Sequence, residues 1–408
     1  MKPLVSVVIP TYNRAELLKE AINSVLSQEG LDEDFAIEVI VVDDASVDAT
    51  SEIVIQYPQV KYIRLAKNSG VSCALNAGIK ASAGKYVAFL DDDDLFLSCR
   101  LKSHIPFMEA HPELGVVYSQ FRIEAEGQSY LYPLTSDAPS GFVFREFLMK
   151  AIMFKQFSTI RMDAFFKAGL FDESLRSMED YDMFLRLAFH VPFQFIPGVV
   201  AVYRFSSKGL WFTETVKGDY IEIVYFILDK ALAMLPEATE AVELKRKAYL
   251  SWLYEIIYGL KKVGKIDYVR NYLLETLAKN QWKIEAPWEE SCIVDNVANV
   301  GCMLAFASSS PLLTLKNFLG EVRATNHGFI SEQIMKQILA KVWIAVGGIF
   351  LLTNPPRYRK KAGYAAIYAV FNDPPVLIKG EVWKLLIKGI FANPRWDPFI
   401  HFCKRLAE

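Results

Sequence analysis

Four aspartates in a row, Asp91, Asp92, Asp93 and Asp94, come directly after the apolar run Tyr86-Val87-Ala88-Phe89-Leu90. A buried strand would fix their backbone at a sheet edge. Alternate carboxylates there can grip a hard divalent cation, Mg²⁺ or Mn²⁺, which takes oxygen ligands and shares them with phosphate oxygens. Such an ion neutralises the charge that builds on a departing diphosphate. A bare acidic surface turn fits the block poorly, because crowded carboxylates raise one another's proton affinity. Asp43 and Asp44 also end an apolar run, and Ser46, Asp48 and Thr50 behind them suit helix capping. Asp44 can accept a hydrogen bond from a base N–H, and Tyr12 offers a flat face for stacking, though both also suit ordinary turn chemistry. Glu179 and Asp180 open a helical stripe, where the helix dipole favours the ionised form. An ionised carboxylate can take a proton from an attacking hydroxyl, or it can simply charge a helix N-terminus.

The elements that must position these groups follow from the apolar pattern. The first hundred residues alternate short β-branched runs with amphipathic segments, which predicts βαβ units on a parallel sheet, with strands at 5–9, 37–42, 60–65 and 86–90. Leu17, Leu18, Ala21, Ile22, Val25 and Leu26 recur at helical spacing between the first two, and Val71, Ala74, Leu75 and Gly78 do so before the fourth. Residues 10–13, Asp43-Asp44 and the aspartate block all follow strand ends, where open α/β sheets bind ligands. Residues 116–118 are expected as a strand, followed by a polar excursion through Gly127, Pro133, Pro139 and Gly141 and a helix over 142–150. Later strands are expected at 157–160 and 194–203, with a helix over 178–189 between them. Beyond Trp211 helical patterns dominate (220–235, 244–263, 268–279), so the predicted boundary lies near residue 215, with an α/β domain over 1–215 and a helical extension over 216–408.

Composition bounds the rest. The 408 residues allow more than one structural unit, and 52% hydrophobic with 23% charged residues is a globular composition. The net charge of -2 hides an asymmetry: residues 1–215 carry 20 Lys+Arg against 28 Asp+Glu, and residues 216–408 carry 25 against 19. From residue 340 onward 11 basic residues face 4 acidic ones among Trp, Phe, Ile and Leu, which suits either an anionic membrane surface or the solvated face of a helical domain. No nucleic-acid partner is expected. Five dispersed cysteines suggest neither a disulfide framework nor a zinc site, and none of the five histidines has metal-ligand spacing. The run 5–9 is too short for a signal-peptide core, so a cytoplasmic location is expected, peripheral on the inner membrane face if the tail meets lipid. Segment 296–315 is uncharged but broken by Ser308, Ser309, Ser310 and Pro311, and 342–352 is about half the roughly 20 residues a span needs.

Together, Val-Val-Ile-Pro-Thr-Tyr-Asn-Arg (7–14), Val-Val-Asp-Asp-Ala-Ser (41–46), Phe-Leu-Asp-Asp-Asp-Asp (89–94) and Glu-Asp-Tyr-Asp (179–182) resemble, in order and spacing, the family-2 glycosyltransferases of the GT-A fold. Asn68-Ser69-Gly70 and Asn76-Ala77-Gly78 fit that family's donor loop, and Gly169-Leu170-Phe171-Asp172-Glu173 fits the segment ahead of its catalytic helix. The resemblance covers roughly the first 210 residues. It implies an inverting, metal-dependent hexosyl- or N-acetylhexosaminyltransferase that moves a sugar from a nucleotide-diphosphate donor, expected to be a uridine-diphosphate sugar. The acceptor would be a hydroxyl on a growing glycan or lipid-linked saccharide. It also implies that Thr11, Tyr12, Asn13, Asp44, Asn68, Asn76, Asp91 and Asp92 meet the donor, with Tyr12 and Asp44 at the uracil. Asp91 and Asp93 would meet Mn²⁺ or Mg²⁺, and Asp180 would be the base. Many members continue Tyr-Arg-x-His after the last core strand, whereas here Tyr203-Arg204-Phe205 is followed by Ser206, with Ser206, Ser207 or Lys208 as phosphate-binding substitutes. Nucleotidyl transfer, the second enzyme reading, lacks a Gly-rich phosphate loop. A catalytically idle carbohydrate- or membrane-binding module is the rival from another class, and intact Asp93 and Asp180 speak against it.

Overall fold

The computed structural model describes residues 2–125, 127–132, 138–150 and 155–205, most of 220–252, and scattered residues between 270 and 338. It divides into two compact units, Met1–Ala248 and Tyr249–Glu408.

The first unit is built on a nine-stranded sheet in the order β3-β2-β1-β4-β8-β6-β9-β5, with β7 paired to β6. The strands are β1 (Leu4–Thr11), β2 (Ala36–Asp43), β3 (Val60–Arg64), β4 (Tyr86–Phe89), β5 (Leu95–Phe96), β6 (Val116–Ala125), β7 (Gln128–Leu131), β8 (Ser158–Arg161) and β9 (Phe193–Arg204). The pairs β2–β3, β1–β2 and β1–β4 are parallel, as βαβ connections demand. Beyond β4 the sheet is mixed: β8 runs antiparallel to both β4 and β6, and β9 lies parallel to β6.

Helices α1 (Ala15–Leu26), α2 (Thr50–Val54) and α3 (Val71–Ala81) connect the parallel strands. Val5, Val7 and Ile9 of β1 share a core with Leu18, Ala21, Ile22 and Val25 of α1. Each such side chain, taken fully from water, contributes about 1.5–3 kcal/mol before entropy is charged against it. Val8 points to the other face, where a Cβ on Gly78 would meet its Cγ1 at 2.2 Å, so only glycine lets α3 lie this close to β1. The carboxyl ends of β1 and β4 flank the point where strand order reverses, and the crevice there gathers the loops after β1, β2 and β4.

The second half departs from the sequence reading in detail. Strand β6 runs on to Ala125 because Phe121 and Ile123 keep alternating with Arg122 and Glu124, and with β7 it makes a hairpin where a polar excursion was expected. Helix α4 (Arg100–Ala110) carries Pro106 inside it, and β5 is two residues long, so neither announces itself in the pattern. Helices α5 (Phe144–Met149), α6 (Ala164–Ala168), α7 (Glu179–His190) and α8 (Tyr220–Leu232) complete the described elements of the unit. Residues 155–157 form a 3-10 turn leading into β8.

In the second unit every described residue is helical, and Trp252, Leu273, Val297, Phe318 and Ile338 are buried. Arg270 donates through Nε to Glu321 Oε2 at 2.8 Å. Most of the expected helices 244–263 and 268–279, and all of the basic, aromatic tail from residue 340, lie outside the described residues. Among the described residues no helix is long and apolar enough to cross a membrane.

Candidate active site

The aspartate block turns immediately after β4, with Asp94 N–H donating to the Asp91 carbonyl at 3.1 Å. Strand β4 is buried along its length, and Phe89 packs edge-on against Phe165 and Phe171, so the turn springs from a rigid base. The turn then sorts the carboxylates: Asp92 and Asp94 are buried, while Asp91 and Asp93 are half-buried at the crevice. Asp92 accepts from Thr11 Oγ1 at 2.7 Å and from Arg14 Nη1 at 3.0 Å, clamping the loop after β1 to the turn after β4. Asp94 accepts the Arg204 backbone N–H at 2.9 Å. Arg14 Nη1 also meets Asp93 Oδ2 at 2.5 Å.

Electrostatics follow from this crowding. Burial, with the Asp93 charge beside it, pushes Asp92 up to about 6 against the pull of Arg14 and Thr11. Asp93 is raised by burial and by Asp91 even with Arg14 in contact, and Asp94 is raised further by burial and the charges of Asp91 and Asp93. The same carboxylates, together with burial, raise the half-buried phenol of Tyr203, which follows Val202 at the end of β9.

The donor-side loops are knit by backbone donors. Asp44, 5% exposed, accepts Ser69 N–H at 2.7 Å and Gly70 N–H at 2.8 Å, which fixes the loop from Asn68 to the start of α3, where Gly70 has φ 94°. Asn13 donates its N–H to Ser46 Oγ at 2.9 Å and accepts Val47 N–H at 2.8 Å. Between Thr11 and Asn13, Tyr12 stands 45% exposed at the crevice mouth, and Asn68 is also exposed. Asn76 is placed differently. It is 2% exposed and spends its amide on Phe171 O, Glu173 Oε1 and Phe171 N–H, each at 2.9 Å, so it anchors the segment ahead of α7.

On the far side of the crevice α7 begins at Glu179 after Met178, which sits at φ 61°, a left-handed conformation that a Met side chain resists. Asn13 at 54° and Ala45 at 65° show the same feature in the loops after β1 and β2, so three of the four such non-glycine residues among the described residues border the site. Asp180 is half-buried and accepts the Tyr181 N–H at 2.8 Å. Burial and the Glu179 charge push it up to about 7, opposed by Lys155 and by that N–H. A carboxylate poised near neutrality suits a general base. Asp182 is committed elsewhere: it pairs with Arg186 at 2.6 Å and Lys230 at 2.8 Å, and Lys230 also reaches Asp172 at 2.6 Å, tying α8 to α7 and the loop before it.

Sequence reasoning passed over Lys155 and Gln156. Lys155 is buried with Nζ 2.9 Å from Asp91 Oδ1 and 3.2 Å from Glu179 Oε1, and Gln156 Nε2 donates to Asp91 Oδ2. These two carboxylates hold Lys155 firmly protonated against the cost of burial. Nothing in the local pattern signals this, because the partners are far off in the chain. His104, by contrast, is a satisfied core residue, bonded to Thr159 Oγ1 and Ser119 Oγ at 2.9 Å each. Ser206, Ser207 and Lys208 lie outside the described residues.

Among the described residues no three His, Cys, Asp or Glu side chains form a ready cage for a metal ion. Asp91 and Asp93 nonetheless suit a hard cation. They are oxygen donors half-buried at the crevice, and a cation there would share Asp91 with Lys155 and Gln156 and Asp93 with Arg14.

Comparison with known proteins agrees with this architecture. Residues 6–178 match the model of the family described as glycosyl transferase family 2. An uncharacterised glycosyltransferase of Rickettsia bellii is 38% identical over 186 residues, which are 45% of this chain but only 26% of that protein. One of Methanocaldococcus jannaschii is 30% identical over 227 residues, 53% of this chain and 76% of that protein. The chain thus spans about a quarter of the Rickettsia relative and most of the archaeal one. Among solved structures, residues 1–349 of S. aureus TarS in complex with UDP-GlcNAc superpose with a TM-score of 0.55 at 17% identity, covering 81% of this chain and 91% of that one, a likeness of fold.

Proposed function

The chain belongs to glycosyl transferase family 2 and has its GT-A fold, and from that premise we propose that it moves a hexosyl or N-acetylhexosaminyl group, with inversion, from a nucleoside-diphosphate donor to a hydroxyl acceptor. The observation that carries the reading is the placement of Asp180, poised at about 7, on a helix that Lys155 joins through Glu179 to the half-buried Asp91 of the aspartate block. A nucleotide pocket on one side and a proton acceptor on the other is what a single displacement requires.

In this reading the base stacks on Tyr12 beside Asp44, and the loop Asn68 to Gly70 frames the donor. The acceptor hydroxyl gives its proton to Asp180 as its oxygen bonds to the anomeric carbon, while the bond from that carbon to the diphosphate oxygen breaks on the opposite face. No covalent sugar–enzyme intermediate forms, and the centre inverts. Asp91 and Asp93 would hold Mn²⁺ or Mg²⁺, which when bound neutralises charge on the leaving diphosphate. TarS, of the same fold, binds UDP-GlcNAc, so a uridine-diphosphate sugar is the first donor to try. The acceptor we propose is a growing glycan or a lipid-linked saccharide. The tail beyond residue 340, with its 11 basic against 4 acidic residues, is proposed to rest on an anionic membrane surface.

The test is release of nucleoside diphosphate from a panel of nucleotide sugars with Mn²⁺ or Mg²⁺, in the presence of saccharide and glycolipid acceptors. Turnover confined to one donor supports the proposal. No release from any donor, with nucleotide binding intact, would make the chain a binding module that kept the fold.

A further inference from the structure

Lys155 carries its ammonium into the floor of the crevice. Its side chain is 5% exposed, and its two partners, Asp91 and Glu179, are 24% and 9% exposed. The next residue, Gln156, takes the other oxygen of Asp91, so two consecutive side chains of one 3-10 turn grip that carboxylate. The turn is itself fixed, because Phe157 stacks on Phe121 with ring centroids 3.6 Å apart and planes 5° from parallel, and β8 follows at once between β4 and β6. Glu179 is the first residue of α7, directly before Asp180.

A buried ion pair is poor grounds for stability, since well-packed apolar residues in its place often hold a protein together as well or better. What it does supply is register, because a desolvated ammonium accepts only the arrangement that brings both carboxylates to it. We infer that Lys155 is a positioning residue for glycosyl transfer, an ionic strut from Asp91 to Glu179 that sets the start of α7, and with it Asp180, against the sheet edge where the diphosphate leaves. The inference rests on the glycosyltransferase reading above. Lys155 touches neither donor nor acceptor in it. A small drift of the base relative to the anomeric carbon is costly, because near-attack geometry is lost. The strut therefore acts on turnover: it shares Asp91 with the proposed metal site, whereas the nucleotide side of the pocket, built on Asp44, Asn13 and the loop before α3, keeps its own hydrogen bonds without it.

The experiment compares wild type, Lys155→Met, Lys155→Arg and the double variant Lys155→Met/Glu179→Gln by steady-state turnover of the donor found in the panel. Calorimetry of UDP without metal and thermal melting accompany it. Lys155→Met should lower kcat by about 10²-fold while UDP affinity measured without metal stays within about threefold, and Lys155→Arg should recover at least about tenfold of the loss. The double variant removes the buried charge that Lys155→Met strands, so it should melt close to wild type and still be slow, and it carries the test if the single variant fails to fold. A Lys155→Met kcat within about threefold of wild type, a loss seen only in KM, or recovery of full kcat in the double variant would each overturn the strut. A wild-type protein that turns over no donor overturns the enzyme reading, and this inference with it, whereas an active wild type indifferent to Lys155 overturns this inference alone.

Discussion

On the parallel side of the sheet most of the acidic and amide side chains are held by neutral donors, Asp44 by two backbone N–H groups, Asn13 by Val47 N–H and Asp48 by Ala15 and Thr50, with Asp43, paired to Arg64, as the exception. On the mixed side the corresponding groups are held by cations, Asp91 and Glu179 by Lys155, Asp182 by Arg186 and Lys230, and Asp172 by Lys230. Arg14 stands at the seam, reaching from the loop after β1 to Asp92 and Asp93. Backbone hydrogen bonds keep their geometry across a wide pH range, whereas ion-paired carboxylates report every change of nearby charge. On the proposed function, the side that would take the nucleotide is held mostly by backbone donors, and the side that would do the chemistry mostly by ion pairs. Substitutions that remove charge should act on turnover at one side and on affinity or stability at the other.

The largest effect is expected at Asp180. Asp180→Asn keeps the shape but takes no proton, so kcat should fall by about 10² or more while donor affinity survives. Turnover near the wild-type rate would move the base elsewhere, and Glu179 and Asp182 would be tested next, each of them ion-paired, to Lys155 and to Arg186 and Lys230 respectively. Asp93→Ala should act on the other quantity, lowering metal-dependent affinity for the nucleotide by about tenfold or more through loss of an oxygen ligand. Calorimetry with and without Mn²⁺ reads this directly, and unchanged metal-dependent affinity would remove Asp93 from the site.

A pH profile sharpens the same contrast. With Asp180 raised to about 7, protonation at lower pH removes the base, so kcat/KM should fall as pH drops through about 7 and approach a tenfold loss per unit below about 6. UDP affinity measured above pH 6.5 should vary little. A flat kcat/KM from pH 5.5 to 8 would contradict the role of Asp180.

How much of this was legible in the sequence follows the same divide. Strands β1 to β4 declare themselves as β-branched runs, and Asp44, Tyr12 and the aspartate block stand at their carboxyl ends, where sheet geometry alone places ligands. The sorting of the block into buried and half-buried carboxylates was not legible, because residues 91–94 form a turn, where strand alternation no longer applies. Lys155 was illegible because a buried ammonium is defined by partners that only the tertiary structure brings near, and its own neighbourhood, Lys-Gln-Phe, has no periodicity. Asn76 matched a donor-loop pattern, yet the structure turns it onto Phe171 and Glu173, a contact no spacing encodes. Helix α8, placed by sequence in the extension, sends Lys230 to Asp172 and Asp182 and lies within the first compact unit.

That clamp yields the smallest effect, and it tests whether the charge-held side also contributes to stability. Asp172 is lowered to about 2, chiefly by the Lys230 hydrogen bond and then by Ser174. A carboxylate with a depressed folded-state value stabilises the fold above its ordinary value of 3.8 and loses that contribution as pH falls through about 2. Because the Asp172 side chain is 23% and Lys230 32% exposed, water screens the pair, and about 1 kcal/mol is the reasonable scale for it. Lys230→Gln should thus lower stability in urea by about 1 kcal/mol near pH 7, with Asp182 still held by Arg186, and the gap between variant and wild type should narrow steadily from about pH 4 to about pH 2. A gap that stays constant over that interval would mean Lys230 stabilises by packing its aliphatic stem, and a gap that widens toward low pH would reverse the sign and remove the ion pair as the cause.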